Sequence, residues 1–482
     1  MPCNMTATTL LRSEMTKVGT TWYGGDVPVV GALRAFPNAE GLAALTRGAA
    51  GYSGVKSVAF VDNTNDSGSG SLRAAVEGAG KEGTFVIFRT SGIINLTTSL
   101  NITSDCITIA AQTSPSGIVI AGANVRLTNT SNIIIRHLRS RLGAHSTVSD
   151  EESEALSVWG GDNIMIDKSS FSWGKDETVG VTSYSDPFTR ITFSRCIISE
   201  GLTDEAPESN HGYGLLANGN YNTGNSIDIH NTVFVSQQAR SPQLSNNIKA
   251  NLVNNVSFNH DGSLTPDLEV YSYQGAPIGV MNVNSIGNFT KAGIESNTGV
   301  DWGGAKGTAR EMIAFNSGTP YPFLYMLDNY GEQRQTDAQS EWQISSDYAG
   351  TLLSTGWQAN TPFVTTDGVA ITPRAVDESN YIVVRNAVVT DAGATIPVTD
   401  DVDARIKAEY LAGTGAFKAT SSYPSDYGTF GSDSYPTDTD SDGIPDAYWT
   451  YKSTTAQTWS DTAPSGYLWI EEYANDVAEG NF

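Results

Sequence analysis

Cysteine is scarce, with three residues in 482 at Cys3, Cys106 and Cys196, widely spaced and without a Cys-x-x-Cys pair. That excludes a disulfide-rich scaffold and a thiolate metal site. Because Cys106 and Cys196 each lie in an apolar, strand-like run, they read as small core residues. Basic residues are also few: Lys and Arg total 28 against 52 Asp and Glu, a formal net charge of −24. A field of that sign repels nucleic acid and anionic membranes. Long hydrophobic runs are missing too, none approaching the roughly 18 apolar residues that cross a bilayer. Arg12, Glu14 and Lys17 interrupt residues 1–34 where an apolar signal core would lie, so this N-terminal extension does not read as a secretory signal.

With only 17% charged and 39% hydrophobic residues, the chain carries too little charge and too much apolar material for disorder. What it has in quantity is glycine, 48 residues, together with Asn, Ser and Thr flanking short β-branched triplets, a composition of brief strands and frequent turns. From about Ile107 the triplets recur. Their last residues, Ile109, Ile135, Ile166, Phe193, Ile229, Val253 and Val283, lie 24 to 36 residues apart. That period is too long for heptads and too strand-rich for helical repeats, and it predicts an all-β, right-handed parallel β-helix of stacked coils. In GSGSLRAAVEGAG, Ser71 precedes an Ala-rich segment that reads as a short helix capping the first coil, and DDVDARIKAEYLAG predicts a second helix between Asp400 and Gly413. The expected organisation is an extension at 1–34, a β-helical domain at 35–430 and an acidic tail at 431–482.

Chemistry-bearing residues concentrate on successive predicted coils. Glu152 and Glu154 share one face of an extended segment, and Asp176 and Glu177 sit in the next turn. Such a carboxylate group suits Ca²⁺, which takes six to eight oxygens, and equally suits a solvated acidic rim. His211 lies in HGYG with Tyr213 beside it, and Arg240 lies in ARSP; on their own these read as a turn histidine and a surface ion pair. The tail stretch DTDSDGIPD is more specific. It sets Asp438, Asp440, Asp442 and Asp446 at calcium-loop positions one, three, five and nine around Gly443, while position twelve is Trp449, so a further ligand from Glu471 or Glu472 is expected.

Taken together, AFPNAEG, GSGSLRAAV, AAQTSPSGIVIAG, NIIIRHLRSRLG, EALSVWGGDNIMID, SFSWGKDET, CIISEGL, ARSP and VDARIKAEYLAGTG, in order and followed by the calcium-loop tail, resemble the pectate lyases of bacterial polysaccharide lyase family 1. The resemblance implies a parallel β-helix that cleaves polygalacturonate by Ca²⁺-dependent β-elimination. It makes Glu154, with Glu152, Asp176 and Glu177, the calcium carboxylates and Arg240 the catalytic base. His211 or Tyr213 would stand in for the family's substrate-binding Lys, and Lys168, where the family has His, is a third substrate-binding candidate. The family often has another Arg shortly after the base, where this sequence has Gln243 and Ser245. The expected protein is a monomer acting on an acidic polysaccharide, extracellular or virion-associated. Two other readings fit the carboxylates: a β-helical glycoside hydrolase using them as a catalytic pair, and a non-catalytic glycan-binding β-helix.

Overall fold

The computed structural model describes residues 33–148, 153–205, 211–260, 267–270, 281–296, 312–316, 323–346, 357–363 and 367–482. Its strands form three parallel sheets of ten, eight and nine strands, and hydrogen-bonded neighbours within a sheet are mostly three strands apart in the chain. The chain therefore visits the ten-stranded sheet (first strand Ser57–Val61), the eight-stranded sheet (first strand Gly92–Asn95) and the nine-stranded sheet (first strand Leu100–Ile102) in turn, one strand of each per coil. This is a parallel β-helix.

Register follows the triplets closely at first. Ile109, Ile135, Ile166, Phe193 and Ile229 pair in sequence up the ten-stranded sheet, and their side chains join one continuous buried core. The next expected member, Val253, is displaced by one. Leu252 pairs with Ile229 and faces the core, whereas Val253 packs with Ile286 and Ile371 in a separate cluster. Two adjacent apolar residues hide the parity of a strand that is buried on both faces. Val283 in turn pairs with Ala250, and Ser285 takes the place above Leu252.

The helix expected at the N-terminal end spans Leu72–Val76. Ser71 caps it by accepting the Ala74 N–H at 3.2 Å, and Leu72 and Val76 are buried against the first coils. The helix expected after Asp400 spans Asp401–Ala412, with the Asp400 carboxylate accepting the Asp403 N–H. A preceding helix, Tyr381–Asp391, was not legible beforehand. Both helices cover the outer face of the eight-stranded sheet, where Val388, Val389, Val402, Ile406 and Tyr410 pack on Ile197, Val233, Val256 and Phe258. Buried Arg141 anchors the second of them through Asp400 at 2.6 Å and Asp403 at 3.1 Å.

After the last coils the chain returns along the solenoid. Arg374 meets Asn254 and Asn231, Asp391 meets Lys168, Asp400 meets Arg141, Asp433 meets Ser116, and Glu471 meets Arg47. The tail aromatics Trp449, Trp469 and Tyr473 dock with Phe85, Ile87 and Ala110. This is the flank of the ten-stranded sheet at its first coils. Cys196 is a buried free thiol, and Cys106 is buried as well.

Candidate active site

The outer faces of the ten- and eight-stranded sheets are the ones the flanking segments cover. The candidate residues gather instead where the chain enters the nine-stranded sheet. Glu154 precedes the strand Leu156–Trp159, Asp176 and Glu177 open Glu177–Thr182, His211 precedes Tyr213–Asn218, and Arg240 precedes Gln243–Ser245. These four strands are consecutive in the sheet, with Glu177 directly paired to Tyr213. Residues up to 86 positions apart in sequence thus occupy neighbouring coils.

Glu154 is half-buried, and its Oε2 accepts from the Ser157 hydroxyl at 3.0 Å and the Asn124 amide at 3.4 Å. Burial pushes its carboxyl up to about 8, and the nearby Asp176 charge adds to the rise. A glycine above it makes room: a Cβ at Gly180 would stand 3.0 Å from Glu154 Oε1. Asp176 Oδ1 meets His211 Nδ1 at 3.1 Å, and the His211 ring lies 4.5 Å from that of Tyr213. Buried Glu177 is ion-paired with Arg240, whose guanidinium stands 4.4 Å over the Tyr213 ring. The Arg240 backbone is held close by Gly214, where a Cβ would come within 2.3 Å of the Arg240 carbonyl oxygen, and the Leu215 N–H donates to that oxygen at 2.6 Å. Arg240 itself has φ +62°.

Glu152 lies outside the described residues. Lys168 is not brought to this cluster. It occupies the corner between the ten- and eight-stranded sheets with φ +45°, in line with His137 at +55° and Arg195 at +53° on adjacent coils, and it pairs with Asp391 at 2.8 Å. A residue that sequence reading passed over is Lys175: it is buried, and its Nζ donates to the Ser146 carbonyl at 2.6 Å while its N–H donates to the Ser153 carbonyl at 2.9 Å. It therefore holds both ends of the segment that leads into Glu154. A lysine directly before Asp176 and Glu177 was the available signal.

The tail loop is a second acidic group. Carboxylate oxygens of Asp438, Asp440 and Asp442 lie within 4.8 Å of one another. Asp438 accepts the Asp442 and Gly443 N–H groups at 3.2 and 3.0 Å, and burial together with the neighbouring acids pushes Asp442 up to about 6. Asp446 turns instead to the Thr439 N–H, at 3.0 Å, and to its hydroxyl. Neither expected extra ligand joins the loop, since Glu471 pairs with Arg47 at 2.6 Å and Glu472 with Lys452 at 2.8 Å.

A probable pectate lyase C from Aspergillus oryzae is 28% identical over 460 residues, covering 94% of this chain and 96% of its own. A probable pectate lyase C from Emericella nidulans is 29% identical over 459 residues, covering 93% and 94%. Both matches run over nearly the whole of each chain. Among solved structures, the major allergen from cedar pollen matches with a TM-score of 0.46 and 14% identity, over 74% of this chain and 92% of that one. Pectate lyase C from Erwinia chrysanthemi matches with a TM-score of 0.42 and 13% identity, over 74% and 96%. No family model matches the chain.

Proposed function

We propose that the protein is a pectate lyase that cleaves polygalacturonate by β-elimination, with Arg240 as the catalytic residue and acting outside the cell. The observation that supports this most is the convergence of Glu154, Asp176, Glu177, His211, Tyr213 and Arg240 on four consecutive strands of one sheet, in a chain that matches a probable pectate lyase C over 94% of its length. The reaction removes a proton α to a uronate carboxylate, which is hardly acidic while that carboxylate stays negative. Neutralising it and stabilising the enolate-like charge is the central requirement.

The donor set fits Ca²⁺. Glu154 and Asp176 are hard oxygen donors close enough for one charge to oppose the other, and the direct hydrogen bonds to the Glu154 carboxylate come from neutral groups, Ser157 and Asn124. Glu154 and Asp176, with Glu177 and Glu152, are the residues that would hold it. Bound there, the ion would supply Lewis-acid neutralisation of the substrate carboxylate. Arg240 contributes a guanidinium that is charged under ordinary conditions, and a substrate carboxylate competes with Glu177 for its donors. The Tyr213 ring lies 4.4 Å beneath that guanidinium, and His211 and Tyr213 line the same entry edge for substrate.

The Asp438–Asp440–Asp442 loop fits a structural Ca²⁺. Its carboxylates converge, and the buried Oδ2 of Asp442 has no hydrogen-bond partner. Incubation with polygalacturonate tests the whole reading. An unsaturated, ultraviolet-absorbing product is expected. Reducing ends without unsaturation would mean hydrolysis, and retention of the polymer without cleavage would mean a binding protein.

A further inference from the structure

Beyond the acidic cluster, the far edge of the nine-stranded sheet carries a line of aromatic rings. Trp159 closes the strand Leu156–Trp159, Tyr184 follows Glu177–Thr182, and Tyr221 follows Tyr213–Asn218, giving one ring on each of three successive coils. Trp159 and Tyr184 meet edge to face, with centroids 5.2 Å apart and planes at 78°, while Tyr184 and Tyr221 are 5.1 Å apart and tilted by 38°. Large aromatic side chains ordinarily go inside, yet Tyr184 is 50% exposed and Tyr221 37%. Arg126, one coil earlier, sets its guanidinium 4.3 Å over the Trp159 ring and donates from Nε to the Asn101 side chain at 2.7 Å.

We propose that the exposed rings of Tyr184 and Tyr221, braced by Trp159, form a stacking ladder for the polyuronate chain, with Arg126 receiving a uronate carboxylate at its lower end. The proposal rests on the pectate lyase reading and extends it to the subsites that grip the polymer away from the reacting bond. Three observations carry it. The rise per coil of a parallel sheet, about 4.8 Å, is close to the length of one sugar ring in an extended chain, so a polymer lying along the solenoid meets a ring per residue. The ladder and the candidate active site lie on the same coils at opposite edges of one sheet, five residues apart from Glu154 to Trp159 and seven from Glu177 to Tyr184, or about 17 to 23 Å at about 3.3 Å per residue. The charge is also complementary, since Arg126 places a cation on an otherwise strongly acidic protein, at the end of a surface whose apolar ring faces suit the C–H faces of a pyranose.

The test is binding of polygalacturonate in calcium, measured by affinity electrophoresis and calorimetry, with neutral galactan as the control polymer. The Tyr184→Ala/Tyr221→Ala double variant is expected to bind polygalacturonate about tenfold more weakly, the loss of roughly one good ring contact. Tyr184→Phe/Tyr221→Phe, which keeps the rings, should bind like the parent. Thermal melting of all three should coincide, as the substituted side chains are exposed. If the alanine variant binds as tightly as the parent, the ladder inference falls and the lyase reading stands. Equal weakening in the phenylalanine variant would mean hydroxyl contacts and overturn stacking. A parent that holds galactan as tightly as polygalacturonate would overturn the role given to Arg126. A parent that binds no polygalacturonate would overturn both the ladder and the function it rests on.

Discussion

Two acidic groups in this molecule are built in opposite ways. The Glu154 cluster draws its members from four coils and interleaves carboxylates with Arg240 and His211, so its geometry exists only once the coils have stacked. The tail loop takes Asp438, Asp440 and Asp442 from five consecutive residues and orients them with backbone N–H groups of the same turn. A site made by stacking inherits the rigidity of the core beneath it and can combine charges of both signs. A site made by one turn is local, and its effect on the rest is limited to what it docks.

That contrast can be broken most directly at Glu154. Glu154→Ala is expected to abolish polygalacturonate cleavage while the thermal midpoint stays level or rises above pH 8, because a half-buried carboxyl pushed up to about 8 opposes folding when ionised. Turnover by this variant at the parental rate would remove Glu154 from the site. At Arg240, replacement by Ala or by Lys should each lower kcat by at least about a hundredfold. Lys retains the charge but not the planar fork over Tyr213, so near-parental activity in Arg240→Lys would reduce Arg240 to a counter-charge.

The tail should respond in the other register. Asp440→Ala with Asp442→Ala is expected to speed proteolysis after residue 430 while leaving turnover within about twofold. Calcium at a hundredfold its Kd adds about 2.7 kcal/mol to a state that alone binds it. Loss of activity in that variant would merge the two acidic groups into one apparatus. The smallest effect is expected at Asp228, a buried carboxyl that accepts the Leu42 N–H and the Asn251 amide and is raised to about 7 by burial. Its folded pKa lies above the unfolded value of about 3.9, so the stability it contributes is present at low pH and is lost as pH rises from about 4 to 7. Asp228→Asn should flatten denaturation free energy across that interval, and an unchanged slope would count against it.

How much of this was readable beforehand depended on how local each signal was. The Ile109 to Ile229 column declared itself because one large apolar residue per coil must face the core. The register slipped at Val253 because Leu252 is equally apolar. Tyr381–Asp391 is rich in Ile and Val, which favour strands, and became a helix through the burial of Val388 and Val389 on the eight-stranded sheet. Lys168 was drawn into the site by its position in a motif, whereas its left-handed corner conformation points it to Asp391. The partnership of Glu177 with Arg240, and of Asp176 with His211, had no sequence signal at all, since it depends on which coil lies above which.

The returning segment has a consequence for how the whole solenoid comes apart. Stacked-repeat proteins behave as one-dimensional chains whose end units open first, since each has only one neighbour. Here the strap ties Asn254 to Arg374 near one end and Arg47 to Glu471 near the other, with Arg141 and Asp400 fastened between them. Opening the first coil therefore requires releasing the last fifty residues, and the protein is expected to lose its amide protection as a loop closed on itself, in one cooperative step rather than by unravelling from the N-terminal end.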